Sequence, residues 1–377
     1  MGTHFRPVIT GTAVQCQHCR QQSPLVSRSL GLCSDCVRHN FDQVLPIIEQ
    51  AHRKARVAFS LPPYPPRAGE GKRCQICGNE CSIPEGGVSY CGLRINREGR
   101  LNGATANLAK VSWYHDPLPT NCVADWVCPA GTGAGYPEFT YRNSAEYGYK
   151  NLAVFYHACS FDCLFCQNWH YRRLLSSPNW VEASKLVEAV DELTACICFF
   201  GGDPTPQLPH AIYVSRLALK QNQGRILRIC WETNGSMHPA LLRQMAELSL
   251  SSGGCIKFDL KAWSEPIHIA LCGVSNKRTL DNFRLLAGYT KIRPSPPLLI
   301  GSTLLVPGYV DKKEVAGIAS FISSLDPNIP YALLAFHPDF LMTDLPATSR
   351  QQAIECLEAA KAAGLSQVRL GNIQLLY

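Results

Sequence analysis

The chain has 377 residues, of which 46% are hydrophobic and 17% charged, and 36 Lys and Arg against 29 Asp and Glu give it a formal net charge of +7. This apolar content excludes a disordered chain, and the absence of any run of about 18 apolar residues predicts that no helix spans a membrane. The basic residues stand in short, scattered patches, so a nucleic-acid partner is not expected.

Cysteine is the unusual residue type: the chain contains 19, an odd number, and only 4 Met. The opening residues, MGTHFRPVIT, include no apolar segment of the kind found in a secretory signal. We therefore expect a cytoplasmic protein with reduced thiols. In such a protein grouped cysteines bind metal more often than they form disulfides.

The first predicted unit, residues 1–60, contains two Cys-x2-Cys pairs and then a helix from Phe41 to Ala58. Two such pairs complete the tetrahedral coordination of zinc or of a single iron, and a unit with so small a core needs a metal to fold. The sequence predicts a metal-ribbon domain with zinc or iron at four thiolates. The ligands are Cys16, Cys19, Cys33 and Cys36. A proline-rich linker, residues 61–73, follows.

Residues 74–150 form a leader that is rich in Cys, Gly and Pro and has little periodic pattern. Four of its thiols are grouped as a second metal site, for which zinc, an iron–sulfur cluster and no metal at all remain open. These thiols are Cys74, Cys77, Cys81 and Cys91. Two others, Cys122 and Cys128, are interpreted as ligands, a redox pair or a catalytic thiol, and the sequence does not separate these roles.

Residues 151–377 alternate short β-branched and aromatic runs with amphipathic helical stretches. The alternation predicts an α/β fold with a parallel sheet, a barrel or a doubly wound sheet, whose chemistry lies in loops after the strands. The predicted strands are Leu152–Tyr156, Cys196–Phe200, Ile226–Trp231, Ile256–Leu260, Leu299–Leu305, Tyr331–Phe336 and Val368–Leu370. The predicted helices lie near 182–193, 208–222, 238–249, 277–288, 312–325 and 349–363.

The loop after the first of these strands contains Cys159, Cys163 and Cys166. A short loop lets several thiolates converge on one iron–sulfur cube, and three thiolates leave one of four irons open to another ligand. Zinc fits less well, because it takes four ligands and often takes them as two separated pairs. The spacing therefore predicts a [4Fe–4S] cluster.

The spacing C-x3-C-x-aromatic-C, with Phe165 as the aromatic residue, resembles the signature of the radical S-adenosylmethionine (radical SAM) enzymes. Loops after three later strands resemble the family's cofactor motifs: Gly201-Gly202-Asp203, Glu232-Thr233-Asn234-Gly235 and Asp259-Leu260-Lys261. Asp203 stands where the family has Glu. The resemblance implies that SAM is bound by Phe165, Gly201, Gly202, Asp203, Glu232, Asn234, Asp259 and Lys261.

The same resemblance implies a partial (β/α) barrel of the TIM type for residues 151–377, and it implies the chemistry. A reduced cluster passes one electron to SAM, which breaks to a 5′-deoxyadenosyl radical that abstracts hydrogen from a substrate. The implied partners are a protein or peptide substrate and a flavodoxin- or ferredoxin-like electron donor. His337, directly after the sixth strand, and Asp339 are the candidate catalytic residues.

Residues 74–377 resemble more narrowly the AmmeMemoRadiSam proteins, which lie close to pyruvate formate-lyase-activating enzymes. Two alternatives stay open. One is a cobalamin-dependent C-methyltransferase that modifies a residue such as glutamine of methyl-coenzyme M reductase, although the chain has no D-x-H-x-x-G motif for cobalamin. The other is a non-catalytic zinc-ribbon interaction protein. The remaining thiols are expected to pack as small core residues: Cys196, Cys198, Cys230, Cys255, Cys272 and Cys356.

Overall fold

A computed structural model describes residues 12–377, so the prediction drawn from the opening residues lies outside the described part. Before the central sheet the chain forms short hairpins and two helices. These elements are β1 (Val14–Gln15), β2 (Gln22–Ser23), α1 (Ser34–His39), α2 (Phe41–Val57), β3 (Lys72–Arg73), β4 (Ser82–Ile83), β5 (Arg94–Arg97), β6 (Arg100–Gly103) and β7 (Leu108–Ala109). No helix among residues 12–377 has the length and apolarity that a membrane crossing requires.

The central sheet has eight strands, seven of them parallel, and it is open at both edges. Its strands are β8 (Val111–Pro117), β9 (Lys150–Tyr156), β11 (Thr194–Gly201), β12 (Arg228–Thr233), β13 (Ile256–Asp259), β14 (Leu299–Leu305), β15 (Tyr331–Ala335) and β16 (Val368–Gly371); β10 (Val181–Glu182) pairs with β7 outside it. The order is β16-β15-β14-β13-β12-β11-β9-β8, and β8 runs antiparallel to β9. The predicted α/β fold with a partial barrel is confirmed, because the sheet is mostly parallel and does not close on itself.

Helices follow most strands, as βα units require. They are α3 (Pro129–Thr132), α4 (Tyr171–Leu175), α5 (Ala183–Val187), α6 (Leu208–Gln221), α7 (Pro239–Ser252), α8 (Glu265–Cys272), α9 (Lys277–Ala287), α10 (Lys312–Leu325) and α11 (Arg350–Ala362), with 3-10 turns at Thr205–Gln207 and Ile373–Leu375. The helix predicted near 182–193 is only the short α5. Neither α8 nor β8 was predicted.

Alternation along the strands separates two faces of the sheet. Trp231 on β12 is fully buried on the outer face, where its indole donates a hydrogen bond of 2.9 Å to Ser249 of α7. Its neighbours Cys230 and Glu232 therefore point to the inner, concave face. Leu152, Val154, Ile197 and Phe199 are likewise fully buried.

The cysteine-rich N-terminal segment packs against the sheet domain rather than standing apart from it. Arg38 of α1 binds Glu314 of α10 at 3.2 Å. The Tyr309 hydroxyl donates a hydrogen bond of 2.8 Å to the Leu32 carbonyl, and Ser27 binds Asp344 at 3.2 Å. These contacts connect the predicted metal ribbon to the carboxyl ends of the strands.

Candidate active site

The loop after β9, residues 157–170, brings its three cysteines to the rim of a cavity at the carboxyl ends of the strands. This cluster loop and the three later strand-end motifs line about 810 Å³ of empty space, which we call the cluster cavity. Its wall includes Cys159, Cys163, Phe165, Cys166, Gly201, Gly202, Asp203, Asn234, Asp259 and Lys261. The structure thus brings together residues that are about 100 positions apart in the sequence.

A buried carboxylate holds the cluster loop in place. Asp162 accepts hydrogen bonds from Arg172 at 2.6 Å and from His52 of α2 at 2.8 Å, and Arg56 of α2 lies 3.6 Å away. Burial alone would raise the pKa of Asp162, but the bond from His52 and the charges of Arg172 and Arg56 outweigh it and lower the pKa. The N-terminal helix therefore fixes the middle of the cluster loop.

The three cluster-loop thiols are chemically suited to a metal cluster. Burial raises the pKa of Cys159 and raises that of Cys166 to about 12, so without a metal these thiols stay protonated. A coordinated metal cation removes the thiol proton outright. The sulfurs of the three thiols lie too far apart for the thiols to group as ligands of a single ion. The donor set therefore fits an iron–sulfur cluster better than one zinc ion. Cys163 Sγ also lies 3.5 Å from the buried Cys272 Sγ.

The glycines after β11 are required by close backbone approach. A Cβ at Gly201, whose φ is +117°, would lie 2.5 Å from the Tyr156 nitrogen. A Cβ at Gly202 would collide with the Ala158 carbonyl and lie 2.8 Å from Tyr171 Cγ. Side chains at these positions would push the strand-end loop away from the cluster loop, so the cavity depends on both glycines.

Asp203 ties two strand-end loops together. Its carboxylate accepts hydrogen bonds from the backbone N–H groups of Thr205 at 2.7 Å and Asn234 at 2.6 Å, and from the Thr233 hydroxyl at 3.2 Å. Burial raises the pKa of Asp203 to about 6. The shorter side chain at this position thus bonds the protein's own backbone while it lines the cavity.

An ion pair closes the side of the cavity at the end of β13. Lys261 Nζ lies 2.7 Å from Asp259 Oδ2, and the Ser302 hydroxyl donates to Asp259 Oδ1 at 2.9 Å. The ammonium of Lys261 is 6.0 Å from the centre of the Phe165 ring. Asn234, which also lines the cavity, donates from Nδ2 to Ser160 Oγ at 2.9 Å, next to Cys159 in the chain. The cavity wall therefore carries fixed polar groups from several strand-end loops.

His337 and Asp339 lie in the loop after β15 and are absent from the residues that line the cluster cavity. Asp339 Oδ1 accepts a hydrogen bond of 3.1 Å from the indole of Trp169 in the cluster loop. Trp169 also stacks on Phe340, with ring centres 5.5 Å apart. The catalytic role assigned to the two residues stays a prediction, and the Asp339 carboxylate contacts Trp169 of the cluster loop.

Glu232, expected at the SAM site, instead lines a second cavity of about 720 Å³ on the concave face of the sheet. Lys257 Nζ lies 3.0 Å from Glu232 Oε1, 3.1 Å from Cys122 Sγ and 3.3 Å from Cys198 Sγ. Burial alone would lower the pKa of Lys257, but these acidic neighbours raise it. We call this the cysteine cavity, because its wall contains Cys122, Cys128, Cys196, Cys198, Cys230 and Cys255.

Four of the thiols expected to pack as core residues therefore border empty space: Cys196, Cys198, Cys230 and Cys255. Burial raises the pKa of Cys128 and of Cys255, and the neighbouring Cys230 thiol raises both further. The sequence does contain one signal that points to this cavity: a charged residue, Lys257, lies inside the short apolar strand β13. Cys356 is fully buried in α11, as expected.

The two N-terminal metal candidates differ in geometry. The ligand atoms of Cys16, Cys19, Cys33 and Cys36 lie within 4.8 Å of one another, and among residues 12–377 no other set of three or more Cys, His, Asp or Glu does so. This spacing suits one tetrahedral ion, for which Zn–S bonds of about 2.3 Å place the sulfurs about 3.8 Å apart. The leader thiols at Cys74, Cys77, Cys81 and Cys91 are all buried but more widely spaced.

The leader thiols border the loop after β12. The Gly78 nitrogen donates to the Ser236 carbonyl at 2.7 Å, and the His238 nitrogen donates to the Ile76 carbonyl at 2.8 Å. Asn79 Nδ2 also donates to the Ser160 carbonyl of the cluster loop at 2.7 Å. The leader therefore supports two of the loops that line the cluster cavity.

Gly202→Ala is expected to weaken SAM binding by at least about tenfold, or about 1.4 kcal/mol. The added methyl group collides with the Ala158 carbonyl and forces the strand-end loop out of position. Gly69→Ala is the matched control, because a Cβ there meets nothing within 4 Å. Equilibrium dialysis with labelled SAM measures both variants, and equal affinity in the two would contradict the close-approach argument.

A known family model covers the cluster loop and the three strand-end motifs, and other proteins are similar to parts of the chain. Residues 153–322 match the family model described as Radical SAM superfamily. The isethionate sulfite-lyase activating enzyme of Desulfovibrio desulfuricans is 34% identical over 139 residues, 36% of this chain and 40% of that enzyme. A putative glycyl-radical enzyme activating enzyme of Methanocaldococcus jannaschii is 28% identical over 189 residues, 49% of this chain and 67% of the relative. A domain of a pyruvate-formate lyase-activating enzyme from Bacteroides vulgatus aligns with a TM-score of 0.37 and 21% identity over 46% of this chain and 98% of that structure.

Proposed function

Residues 153–322 form a radical SAM domain, and from this premise we propose that the chain cleaves SAM reductively and abstracts hydrogen from a protein or peptide substrate. The observation that carries the proposal is the cluster cavity, where three thiols and the strand-end motifs meet. When bound, a [4Fe–4S] cluster and SAM supply a 5′-deoxyadenosyl radical. The remaining chemistry is positioning by the chain's own residues.

Cys159, Cys163 and Cys166 would hold the cluster and leave one iron for the amino and carboxylate groups of SAM. Gly201 and Gly202 let the backbone after β11 lie close against the cluster loop and the end of β9. Asp203 keeps the loops after β11 and β12 at a fixed separation through its bonds to Thr205 and Asn234. These bonds keep the two loops together at the wall of the cavity.

Lys261 and Asp259 supply the second polar side of the pocket. Their ion pair is partly exposed to the cavity, so each group retains hydrogen-bonding capacity for a ligand. An ammonium beside the cluster loop suits the SAM carboxylate, and a carboxylate suits the ribose hydroxyls. The cluster cavity thus offers complementary partners for the carboxylate and the ribose of SAM.

The proposed substrate class is a glycine-containing protein segment, as in glycyl-radical activation. Its support is the similarity to the isethionate sulfite-lyase activating enzyme and to the putative glycyl-radical enzyme activating enzyme. A flavodoxin- or ferredoxin-like protein is the proposed electron donor. The N-terminal ribbon is proposed to hold one structural zinc or iron ion, because its four sulfurs already have single-ion spacing.

The reaction is tested on the full chain, purified without oxygen, reduced with dithionite and supplied with SAM. The substrate probe is a set of peptides whose glycine carries deuterium at the α-carbon. We expect 5′-deoxyadenosine to form and to gain deuterium from the peptide, as measured by mass spectrometry. Cys166→Ala is the matched control and is expected to give neither product.

Added cobalamin separates activation from methyl transfer in the same assay. An activating enzyme yields 5′-deoxyadenosine whether or not cobalamin is present. Accumulation of S-adenosylhomocysteine only with cobalamin, without deuterium transfer from glycine, would overturn the proposal in favour of C-methylation.

A further inference from the structure

Six of the eight thiols outside the three predicted metal motifs surround one cavity. Cys196 and Cys198 occupy alternate positions on β11, and Cys230 on β12 stands opposite Cys198 in the register. Cys255 immediately precedes β13. The leader contributes the remaining two, Cys122 and Cys128, from the segment that covers this part of the sheet. Chance core packing does not explain why thiols from two strands, from the residue before a third and from a covering segment all border the same empty space.

The contacts of Lys257 divide these thiols into two groups. Its ammonium binds Cys122 and Cys198, together with the Glu232 carboxylate. The other four thiols are Cys128, Cys196, Cys230 and Cys255. Within residues 12–377, no hydrogen bond joins any of them to a cationic side chain. Of these, Cys196 makes one hydrogen bond of 3.3 Å, to Asn151 Oδ1. Four neighbouring thiols thus remain without a bonded counter-charge.

The spacing of the four indicates the type of metal site. Neighbouring strands of a sheet are about 4.8 Å apart, whereas the sulfurs around one zinc ion must approach to about 3.8 Å. In residues 12–377 only the N-terminal ribbon meets the single-ion spacing. Thiols spread over β11, β12 and the start of β13 suit a centre that is itself several ångströms wide, with a metal at each corner. An iron–sulfur cluster is such a centre.

We propose that Cys128, Cys196, Cys230 and Cys255 hold a second iron–sulfur cluster in the cysteine cavity, separate from the cluster at the cluster loop. The two cavities share the concave face, because Lys257 lines one and Asp259, two positions further along β13, lines the other. Two residues of a strand advance about 7 Å. The second cluster therefore lies beneath the SAM pocket, closer to the amino ends of the strands.

The test uses the full chain in a background that lacks the first cluster, with Cys159, Cys163 and Cys166 all replaced by alanine. After anaerobic reconstitution with iron and sulfide, this background is compared with the same chain carrying Cys230→Ser and Cys255→Ser. We expect the added substitutions to lower bound iron by about four ions per chain, for a cubane, and to remove an electron paramagnetic resonance signal of the dithionite-reduced protein. Equal iron content and equal signals in the two chains would overturn the proposal.

Cys122→Ser with Cys198→Ser is the matched control, because these thiols line the same cavity but are bonded to Lys257. This pair is expected to retain the iron, and an equal loss of iron would contradict the assigned ligand set. If the Cys230 and Cys255 pair prevents folding, as judged by gel filtration and circular dichroism, the single variant Cys255→Ser replaces it. A hydroxyl oxygen in place of the Cys255 sulfur is then expected to shift the resonance signal, and an unchanged signal counts against the site. Cleavage of SAM by the unmodified chain is measured separately, so failure here is distinguishable from failure of the proposed reaction.

Discussion

We expect a chain with Cys159, Cys163 and Cys166 replaced by alanine to form no 5′-deoxyadenosine above background when it is reduced in the presence of SAM. All three thiols line one cavity, and their removal leaves no cluster in that cavity to offer an open iron to SAM. The loss is expected to be complete rather than graded, because electron transfer to SAM requires the cluster itself. Chromatography of the nucleoside products, with iron analysis of the same sample, measures the effect.

Cys356→Ala is the matched control for this prediction. Cys356 is a fully buried thiol in α11 and lines neither cavity, so its loss leaves only a small packing defect. It is expected to leave SAM cleavage within about twofold of the unmodified chain, a difference of about 0.4 kcal/mol. Substantial cleavage by the triple variant would exclude the cluster loop as the site of the reaction.

The second large effect is expected at the N-terminal ribbon. Cys36→Ser removes one of four sulfurs that lie within single-ion distance, and Cys36 is buried in α1. Structural zinc in small domains is bound with about 10–16 kcal/mol, much of which is folding free energy. We therefore expect the variant to lose about one metal ion per chain and residues 12–39 to unfold locally. Metal analysis and hydrogen exchange of the α1 amides measure the two changes.

Ser34→Ala, at the start of α1 but outside the four ligands, is the control for the ribbon. It is expected to keep the metal and the slow exchange of α1. Retained metal in Cys36→Ser would exclude Cys36 as a required ligand. An α1 that stays protected without metal would show that the ribbon is stabilised by its contacts with α10 rather than by an ion.

Much of the sheet domain was predictable because its strands have apolar runs with clear boundaries. β9, β11, β14 and β15 each overlap the strand predicted for that part of the chain, and the three SAM motifs fall at strand ends. β8 was missed, since only three of its seven residues are buried or half-buried and it precedes the first βα unit. α8 was missed because its eight residues are too few to show a helical period against the apolar background.

The positions of the thiols were predictable only where they were grouped in the sequence. Cys159, Cys163 and Cys166 have their final relationship within one loop. The cysteine cavity joins Cys122 to residues more than 70 positions away, and the register of β11 on β12 places Cys198 opposite Cys230. Glu232 was assigned to SAM from its place in a motif, and this role stays a prediction; the contact that the structure shows for its carboxylate is with Lys257. The pairing between strands therefore determines which distant side chains meet, and their spacing in the sequence does not reveal it.

The bonds from α2 to Asp162 have a consequence for how the protein matures. His52 and Arg56 bind Asp162 in the middle of the loop that carries the cluster ligands. Any event that orders this loop also favours the docked helix, and by thermodynamic reciprocity the docked helix favours the ordered loop. Folding of the amino-terminal segment and assembly of the metal cluster are therefore coupled steps. Helix α2, which is synthesised before the cluster loop, thus positions the loop on which the iron–sulfur cluster would later assemble.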